Sequence, residues 1–344
     1  MVFTIPKAES FPCYLVRRDA AGKVSARVEA TTVDALPEGQ VVVRVEYSSL
    51  NYKDALASQG HPGVVRQFPH VPGIDCAGAV VESESSDFEP GDEVLITGYE
   101  LGAGHWGGFA AFVRVPAEWI VRMPSGLSAR AAMTYGTAGF TAAQCVTAIV
   151  ERGIDPKRGP VVVTGATGGV GSLAVAILAK LGYEVAAVTG KADRHDWLRQ
   201  IGAKQILDRE EVVDESDTPL LASRWAAAID TVGGKPLATI LRSMKYRGCV
   251  AACGLVAGPE LLTTVYPFIL RGVTLAGIDS AKCPRPLRLE MWQKLSGPWR
   301  VDNLEAFASE ATLDDLPDRI EKILAGQIIG RTLVLPTSKQ VATS

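Results

Sequence analysis

The spacing of apolar and polar positions divides the chain near Thr134 into two stretches with different periods. Up to about Met133 the hydrophobic residues fall in short, partly alternating runs separated by turn residues. Gln40 to Tyr47 (QVVVRVEY) is Val-rich and alternates in part, the mark of a half-buried strand. Pro72-Gly73, Pro90-Gly91 and Pro124-Ser125-Gly126 punctuate this region as turns, and the acidic stretch Glu82 to Glu89 reads as a solvated loop. A strand-rich domain is therefore expected over residues 1–133.

Beyond Thr134 the apolar runs become short, continuous and β-branched, as buried parallel strands require. Gly159 to Gly165 (GPVVVTG) and Glu184 to Thr189 (EVAAVT) are such runs, with a shorter one at Gln205 to Asp208. Ala226 to Asp230, Cys249 to Gly254 and Val273 to Ile278 supply three more. Helices are expected between them, at Ser172 to Leu181, Asp193 to Ile201, Pro236 to Met244 and Val265 to Leu270. Strands alternating with helices at this spacing imply an α/β, doubly wound parallel sheet over residues 134–280. The remainder, 281–344, reads as a Pro-rich loop, a helix near Leu316 to Leu324 and a strand near Thr332 to Leu335. This tail is expected to pack back on the first domain, so that the active site falls in a cleft between two domains.

A length of 344 residues suits two domains, and 47% hydrophobic with 21% charged residues is ordinary globular composition. A formal net charge of −3 argues against a nucleic-acid partner. No run approaches the ~18 apolar residues of a membrane span, and the start, MVFTIPKAESFPC, lacks the apolar core of a signal peptide. A cytoplasmic location is expected. Cys13, Cys76, Cys145, Cys249, Cys253 and Cys283 form no C-x-x-C pair and read as small buried hydrophobes in a reducing compartment.

The strongest local signal is Thr164-Gly165-Ala166-Thr167-Gly168-Gly169-Val170-Gly171, between an expected strand and an expected helix. In that context glycines permit a tight turn, close approach of the backbone to a pyrophosphate, and close packing of helix on strand. The helix N-terminus offers free N–H groups and partial positive charge to the anion. The spacing, G-x-x-G-x-x-G, departs from the commoner G-x-G-x-x-G. After the second strand an acidic residue would accept bonds from an adenosine ribose hydroxyl and repel a 2′-phosphate. Here Thr189-Gly190-Lys191 stands instead, with Arg194 and Arg209 beyond, and these suit a dianionic phosphate. NADPH is favoured over NADH.

With these pieces placed, the chain resembles the medium-chain dehydrogenase/reductase superfamily. It is most similar to the zinc-independent, quinone oxidoreductase-like branch that includes NADPH-dependent acryloyl-CoA reductases. The resemblance rests on Ser48 to Asp54 (SSLNYKD), Pro72 to Asp75 (PGID), His105 to Gly108 (HWGG), Gly136 to Ala142 (GTAGFTA) and Ile229 to Gly233 (IDTVG). Ala251 to Leu255 (AACGL), Pro267 to Arg271 (PFILR) and Gly330 to Val334 (GRTLV) follow in order. It implies a GroES-like catalytic domain built from both ends of the chain around a Rossmann domain, and a homodimer formed through the strand near Val273 to Ile278. By the same resemblance the cofactor would be held by Tyr52, Thr167, Gly168, Gly169, Val170, Thr189, Gly190, Lys191 and Arg209, with Leu255, Ile269 and Ser280 along its nicotinamide side. Gly326 stands where the family often has Asn, so a side-chain contact there is not carried over.

Catalytic zinc needs three converging Cys, His or carboxylate ligands. Zinc-dependent relatives place a Cys in the segment that reads Asn51-Tyr52-Lys53-Asp54 here, and Gly-His-Glu where this chain has Pro72-Gly73-Ile74-Asp75. No suitable cysteine accompanies His61, His70 and His105, so no metal is expected. The implied reaction is reduction of the conjugated double bond of acryloyl-CoA or a similar short 2-enoyl-CoA; a quinone or enone reductase, or a nucleotide-binding protein with little catalysis, are the alternatives. Enolate charge must be stabilised and the α-carbon protonated. Tyr52 is the leading catalytic candidate, with Asn51, Lys53 and His61 as others and Asp54 as a brace. Trp106 reads equally as a cleft wall or a loop anchor. Lys282, Arg285 and Arg288, with Arg66, are candidate cations for the CoA phosphates.

Overall fold

The computed structural model describes residues 10–339. The expectations made for the extreme N-terminus and the last few residues lie in part outside that range. Two compact units are formed: one takes in the chain up to Thr137 and again from Asn303, and the other is Ala138–Asp302.

The first unit opens with a hairpin of β1 (Ser10–Arg18) and β2 (Val24–Thr32). Then come β3 (Val41–Ser49), helix α1 (Tyr52–Ser58), β4 (Asp75–Ser83), β5 (Glu93–Thr97), β6 (Phe112–Val115) and β7 (Ile120–Arg122). Helix α2 (Ala129–Glu151) starts in this unit and is kinked at Gly136. The second unit alternates β8 (Val161–Val163), α3 (Gly169–Lys180), β9 (Val185–Val188), α4 (His195–Gln200), β10 (Gln205–Leu207), β11 (Trp225–Asp230), α5 (Gly234–Arg242) and β12 (Met244–Ala252). It ends with α6 (Tyr266–Arg271), β13 (Thr274–Gly277) and α7 (Arg285–Ser296). The chain then returns to the first unit with β14 (Ala308–Thr312), α8 (Leu316–Leu324) and β15 (Arg331–Leu335).

Among the described residues the second unit holds a sheet in the order β10-β9-β8-β11-β12-β13, parallel throughout. The order reverses between β8 and β11, the switch point of a doubly wound fold. Its strands bury both faces: Val161, Val162, Val163, Ala227, Ala228 and Ile229 are fully enclosed, which is why they read as continuous apolar runs. The larger sheet of the first unit runs β14-β15-β3-β4-β5-β7, with β6 also on β3. It is antiparallel except for the β14–β15 pair. Chain ends separated by most of the sequence thus meet in one sheet, with Leu333 opposite Ser49 and Val334 opposite Ser48.

Several elements differ from the sequence expectation. Tyr52 to Ser58 is a helix and not part of a strand-and-turn region. Residues 281–301, expected as a Pro-rich loop of the returning tail, contain α7 and belong to the second unit. Pro284 and Pro286 sit at the N-cap and second position of α7, where a missing N–H costs nothing. The domain boundaries fall after Thr137 and Asp302, where the expectation had 133 and 280.

Gly136 takes φ 48, ψ −155 within α2. A Cβ there would lie 2.6 Å from Asp75 Oδ2, 2.6 Å from Ser49 Oγ and 2.7 Å from Arg331 Nη2. Both the backbone conformation and the packed polar groups exclude a side chain. Gly136→Ala is expected to lose roughly 2–4 kcal/mol of stability, read as a lowered denaturant midpoint; an unchanged midpoint would contradict this packing.

Candidate functional site

Tyr52 is the first residue of α1, and its position follows from the cap. The N–H of Asn51 donates to Asp54 Oδ2 at 2.8 Å, closing a capping box. Asp54 Oδ1 accepts from the N–H groups of Gly73 (3.0 Å) and Ile74 (2.8 Å), tying the helix start to the Pro72–Asp75 segment. Tyr52 is left 43% exposed while Asn51 and Asp54 on either side are buried. Beneath it, Asp75 Oδ1 accepts from the N–H and hydroxyl of Ser49 at 3.0 and 2.7 Å. Asp75 Oδ2 accepts from the Asn51 amide at 3.0 Å and the Thr137 N–H at 2.8 Å. Arg331, fully inside, donates to Ser49 Oγ (2.5 Å), Asn51 Oδ1 (3.1 Å), and the carbonyls of Leu50 and Thr134. Its nearest approach to Asp75 is 3.9 Å, so the two charges are joined chiefly through Ser49 and Asn51.

Burial and the neighbouring Asp75 charge push the Asp54 carboxyl up to about 7, against the bonds from Asn51 and Ile74. Burial likewise lowers the Arg331 guanidinium, with Asp75 and Asp54 pulling the other way. Asp54 does more than brace its own helix: its carboxylate joins the backbone just before Tyr52 to that of Gly73 and Ile74. Asp75, Ser49, Thr137 and Arg331 were not singled out from sequence. They lie within the quoted motifs, but no local spacing connects residue 75 to residue 331.

The other first-unit candidates separate from this cluster. His61 is exposed, and its Nδ1 accepts the Gly63 N–H in a local turn. Trp106 donates from Nε1 to the Pro69 carbonyl at 2.9 Å and packs on the buried core, so it anchors its loop. His70 is buried, its Nε2 3.0 Å from the Gly102 carbonyl, and desolvation lowers it to about 4. Among the described residues no group of three or more His, Cys, Asp or Glu side chains is arranged to hold a metal ion.

In the second unit the Thr164–Gly171 turn joins β8 to α3. The Thr164 hydroxyl donates to Asp230 Oδ1 (2.8 Å) and accepts the Thr231 N–H (2.9 Å), while the Thr231 hydroxyl donates to the Thr164 carbonyl (2.9 Å). Asp230 Oδ2 accepts the Gly233 N–H at 2.7 Å, so one buried carboxylate fixes both loops at the switch point. A Cβ at Gly171 would collide with the Gly165 carbonyl, which explains glycine at the first turn of α3. Gly168 is the N-cap, and Gly169 and Val170 open the helix with their N–H groups toward the turn.

Thr167, Thr189, Gly190, Lys191 and Arg209 come together at the ends of β8, β9 and β10. The hydroxyls of Thr167 and Thr189 are 3.5 Å apart, and Thr189 Oγ1 accepts the Lys191 N–H at 3.1 Å. A Cβ on Gly190 would stand 2.8 Å from Arg209 Nε, so the absent side chain leaves space for the guanidinium. Burial and the nearby Arg209 charge lower the Lys191 amine, with Asp193 pulling the other way. Hydroxyls and two cations fit a phosphate. Arg194 pairs with Asp193 at 3.0 Å, and its charge also bears on Lys191.

Leu255 (64%) and Ile269 (68%) are exposed, and Ser280 is half-buried in the loop after β13. Lys282 and Arg285 are exposed, but Arg288 is fully enclosed, its guanidinium bonded to the carbonyls of Ser280 and Ala281. The expectation that Arg288 is a surface cation for CoA phosphates is therefore corrected: helical spacing turns it inward.

Comparison with known proteins agrees with this construction. Residues 37–125 match the alcohol dehydrogenase GroES-like domain, and residues 169–296 match the domain described as zinc-binding dehydrogenase. The acrylyl-CoA reductase AcuI of Ruegeria pomeroyi is 48% identical over 94% of this chain and 98% of its own. The crystal structure of Escherichia coli K-12 YhdH with bound NADPH superposes with a TM-score of 0.91 at 49% identity, covering 94% of this chain and all of that one. Bacillus subtilis yhfP with NAD bound gives a TM-score of 0.92 at 43% identity, over 95% of this chain and 100% of that one. The chain belongs to the medium-chain dehydrogenase/reductase family. Its two units are the GroES-like and Rossmann-type domains of that family.

Because the Asp54 carboxyl is raised in the folded protein, the native state binds its proton more tightly than the unfolded chain. Stability from this group is full below pH ~4 and declines as pH rises from the unfolded value of 3.8 to about 7. Asp54→Asn is expected to flatten that decline in pH-dependent urea unfolding. It also loses roughly 1–3 kcal/mol, because an amide NH₂ would meet the Asn51 N–H. A wild-type stability independent of pH over this window would refute the assignment.

Proposed function

We propose that the protein is an NADPH-dependent reductase of the conjugated double bond in acryloyl-CoA or a similar short 2-enoyl-CoA, yielding the saturated thioester. The observation that carries this reading is the near-full-length similarity to an acrylyl-CoA reductase. It is supported by the phosphate-fitting group of Thr189, Lys191 and Arg209.

NADPH, when bound, supplies the hydride, and this chain's residues supply position and electrostatics. Free N–H groups at the start of α3 and the hydroxyl of Thr167 suit the pyrophosphate. Lys191 and Arg209 suit the 2′-phosphate, and Leu255, Ile269 and Ser280 the nicotinamide end. Tyr52 projects from a rigidly capped helix start, and its hydroxyl is suited to orient the nicotinamide or to bond the substrate carbonyl as negative charge develops there. Zinc has no part in this reading, since charge on the thioester oxygen is met by hydrogen-bond donors. Lys282, Arg285 and Arg66 remain candidate cations for the CoA phosphates.

No helix among the described residues is long and apolar enough to cross a membrane. The reading further includes a cytoplasmic homodimer. All six cysteines are free, in keeping with a reducing compartment. Strand β13 lies at one edge of its sheet, and the neighbouring Leu262, Val265, Ile269 and Leu270 are exposed. A second copy pairing along β13 would cover this edge, which is otherwise prone to unwanted association.

Measured kcat/KM with NADPH is expected to favour acryloyl-CoA over crotonyl-CoA and over a simple quinone; a preference for the quinone would replace this reading with that of a quinone reductase. Lys191→Ala and Arg209→Ala are each expected to raise KM for NADPH by about tenfold while changing that for NADH little. Equal losses would remove the 2′-phosphate assignment. Tyr52→Phe is expected to lower kcat by at least about tenfold if the hydroxyl acts on the substrate, whereas a change in cofactor KM alone would restrict it to binding.

A further inference from the structure

Arg288 occupies an unusual place for an arginine, with 0% of its surface exposed. Its guanidinium donates to Ser280 O at 3.4 Å and Ala281 O at 3.1 Å, and lies 5.0 Å from the centroid of the Phe140 ring. Phe140 in turn stacks on Trp292, one turn further along α7, at 6.0 Å between centroids. The same loop is tied by Asp279, whose Oδ1 accepts the N–H groups of Ala281 and Lys282 at 3.0 and 3.2 Å. Removing a guanidinium from water is costly even when its donors find partners. A leucine or methionine would avoid that cost only by leaving the Ser280 and Ala281 carbonyls without this donor, so the hydrogen bonds account for a polar side chain but packing alone does not explain a charge.

The position of the loop suggests what does. It leaves β13 at the C-terminal end of the parallel sheet, where ligands of doubly wound folds bind. Each half of such a sheet takes one mononucleotide. The turn after β8, together with Lys191 and Arg209, assigns the adenosine half to β8–β10. The nicotinamide half then falls to β11–β13, whose last loop is Asp279–Lys282. A nicotinamide ring bears a positive charge when oxidised and none when reduced. Asp279 and Lys282 are exposed and of opposite sign, so water screens them and they largely cancel. Arg288 is buried and far less screened.

We propose that Arg288 biases the cofactor site toward the reduced dinucleotide by holding a desolvated positive charge beneath the Ser280–Ala281 loop. The proposal rests on the cofactor reading given under Proposed function. Arg288 is in this sense a positioning residue with an electrostatic effect: it fixes the loop and disfavours the charged ring. The product form of the cofactor is then released more readily than the substrate form, which lessens inhibition by NADP⁺ during reduction.

Equilibrium binding of NADPH and of NADP⁺ to the full-length protein tests this directly, by titration calorimetry on wild type, Arg288→Lys and Arg288→Met. The ratio Kd(NADP⁺)/Kd(NADPH) is expected to fall by at least about threefold in Arg288→Met and to stay within about twofold of wild type in Arg288→Lys. An arginine that only props the loop would weaken both ligands alike. A ratio unchanged in Arg288→Met therefore overturns the proposal. If Arg288→Met shows no cooperative thermal transition, Arg288→Gln serves in the same comparison, since it keeps a donor to the carbonyls and loses the charge. Failure of the wild-type protein to bind NADPH would be a different result, sinking the cofactor reading and this inference with it.

Discussion

The first unit is tied together at one carboxylate. Asp75 accepts four hydrogen bonds, from Ser49 (two), Asn51 and Thr137, and Arg331 reaches the same polar cluster from the last strand. These residues come from β3, the cap of α1, β4, α2 and β15, so the cluster joins most of the unit's architecture at a single point. Buried charge of this kind contributes little net stability compared with an apolar core, but losing one partner leaves the others unsatisfied, at a cost of about 3–5 kcal/mol. Its contribution is geometric. The start of α1 is fixed in place, and Tyr52 is presented on a rigid base.

The second unit repeats the arrangement on a smaller scale. Asp230 bonds Thr164 and Gly233, locking the glycine turn after β8 to the turn after β11. Burial raises the Asp230 carboxyl, and the bonds from Gly233, Thr164 and Val232 oppose that shift. In both units a buried aspartate bonds to backbone N–H groups of segments next to candidate binding residues. The cofactor-side loops therefore need little reordering on binding, and preorganisation of this sort is where affinity is most easily gained.

Much of this was legible in the chain. The parallel strands of the second unit are short and buried on both faces, so each stood out as an apolar run, and the glycine turn announced itself by its context. The Thr189–Lys191 group was readable because its members sit at the strand ends that any doubly wound sheet brings together. What escaped was set by tertiary contacts. Helix α1 is only seven residues long and depends on a cap whose partners lie near Gly73 and Ile74. Strand β14 (ASEAT) carries almost no apolar signal and exists because β15 lies beside it. Helix α7 was hidden by prolines at its start, and Arg288 by company: three cations in seven residues read as a solvated patch until the helical turn separated them.

The route of the chain also bears on how the protein is made. Strands β14 and β15, and Arg331 with them, are translated after the whole second unit, yet they complete a sheet begun by β3. While the ribosome is still adding residues, the earlier part of that sheet has an open side at β3 and an aspartate lacking its distal arginine. The Ala138–Asp302 unit has no such dependence and can fold as it emerges, since domains commonly form vectorially during synthesis. The nascent polypeptide thus carries a finished nucleotide-type domain behind an unfinished one, and closure of the first unit awaits synthesis of β14 and β15.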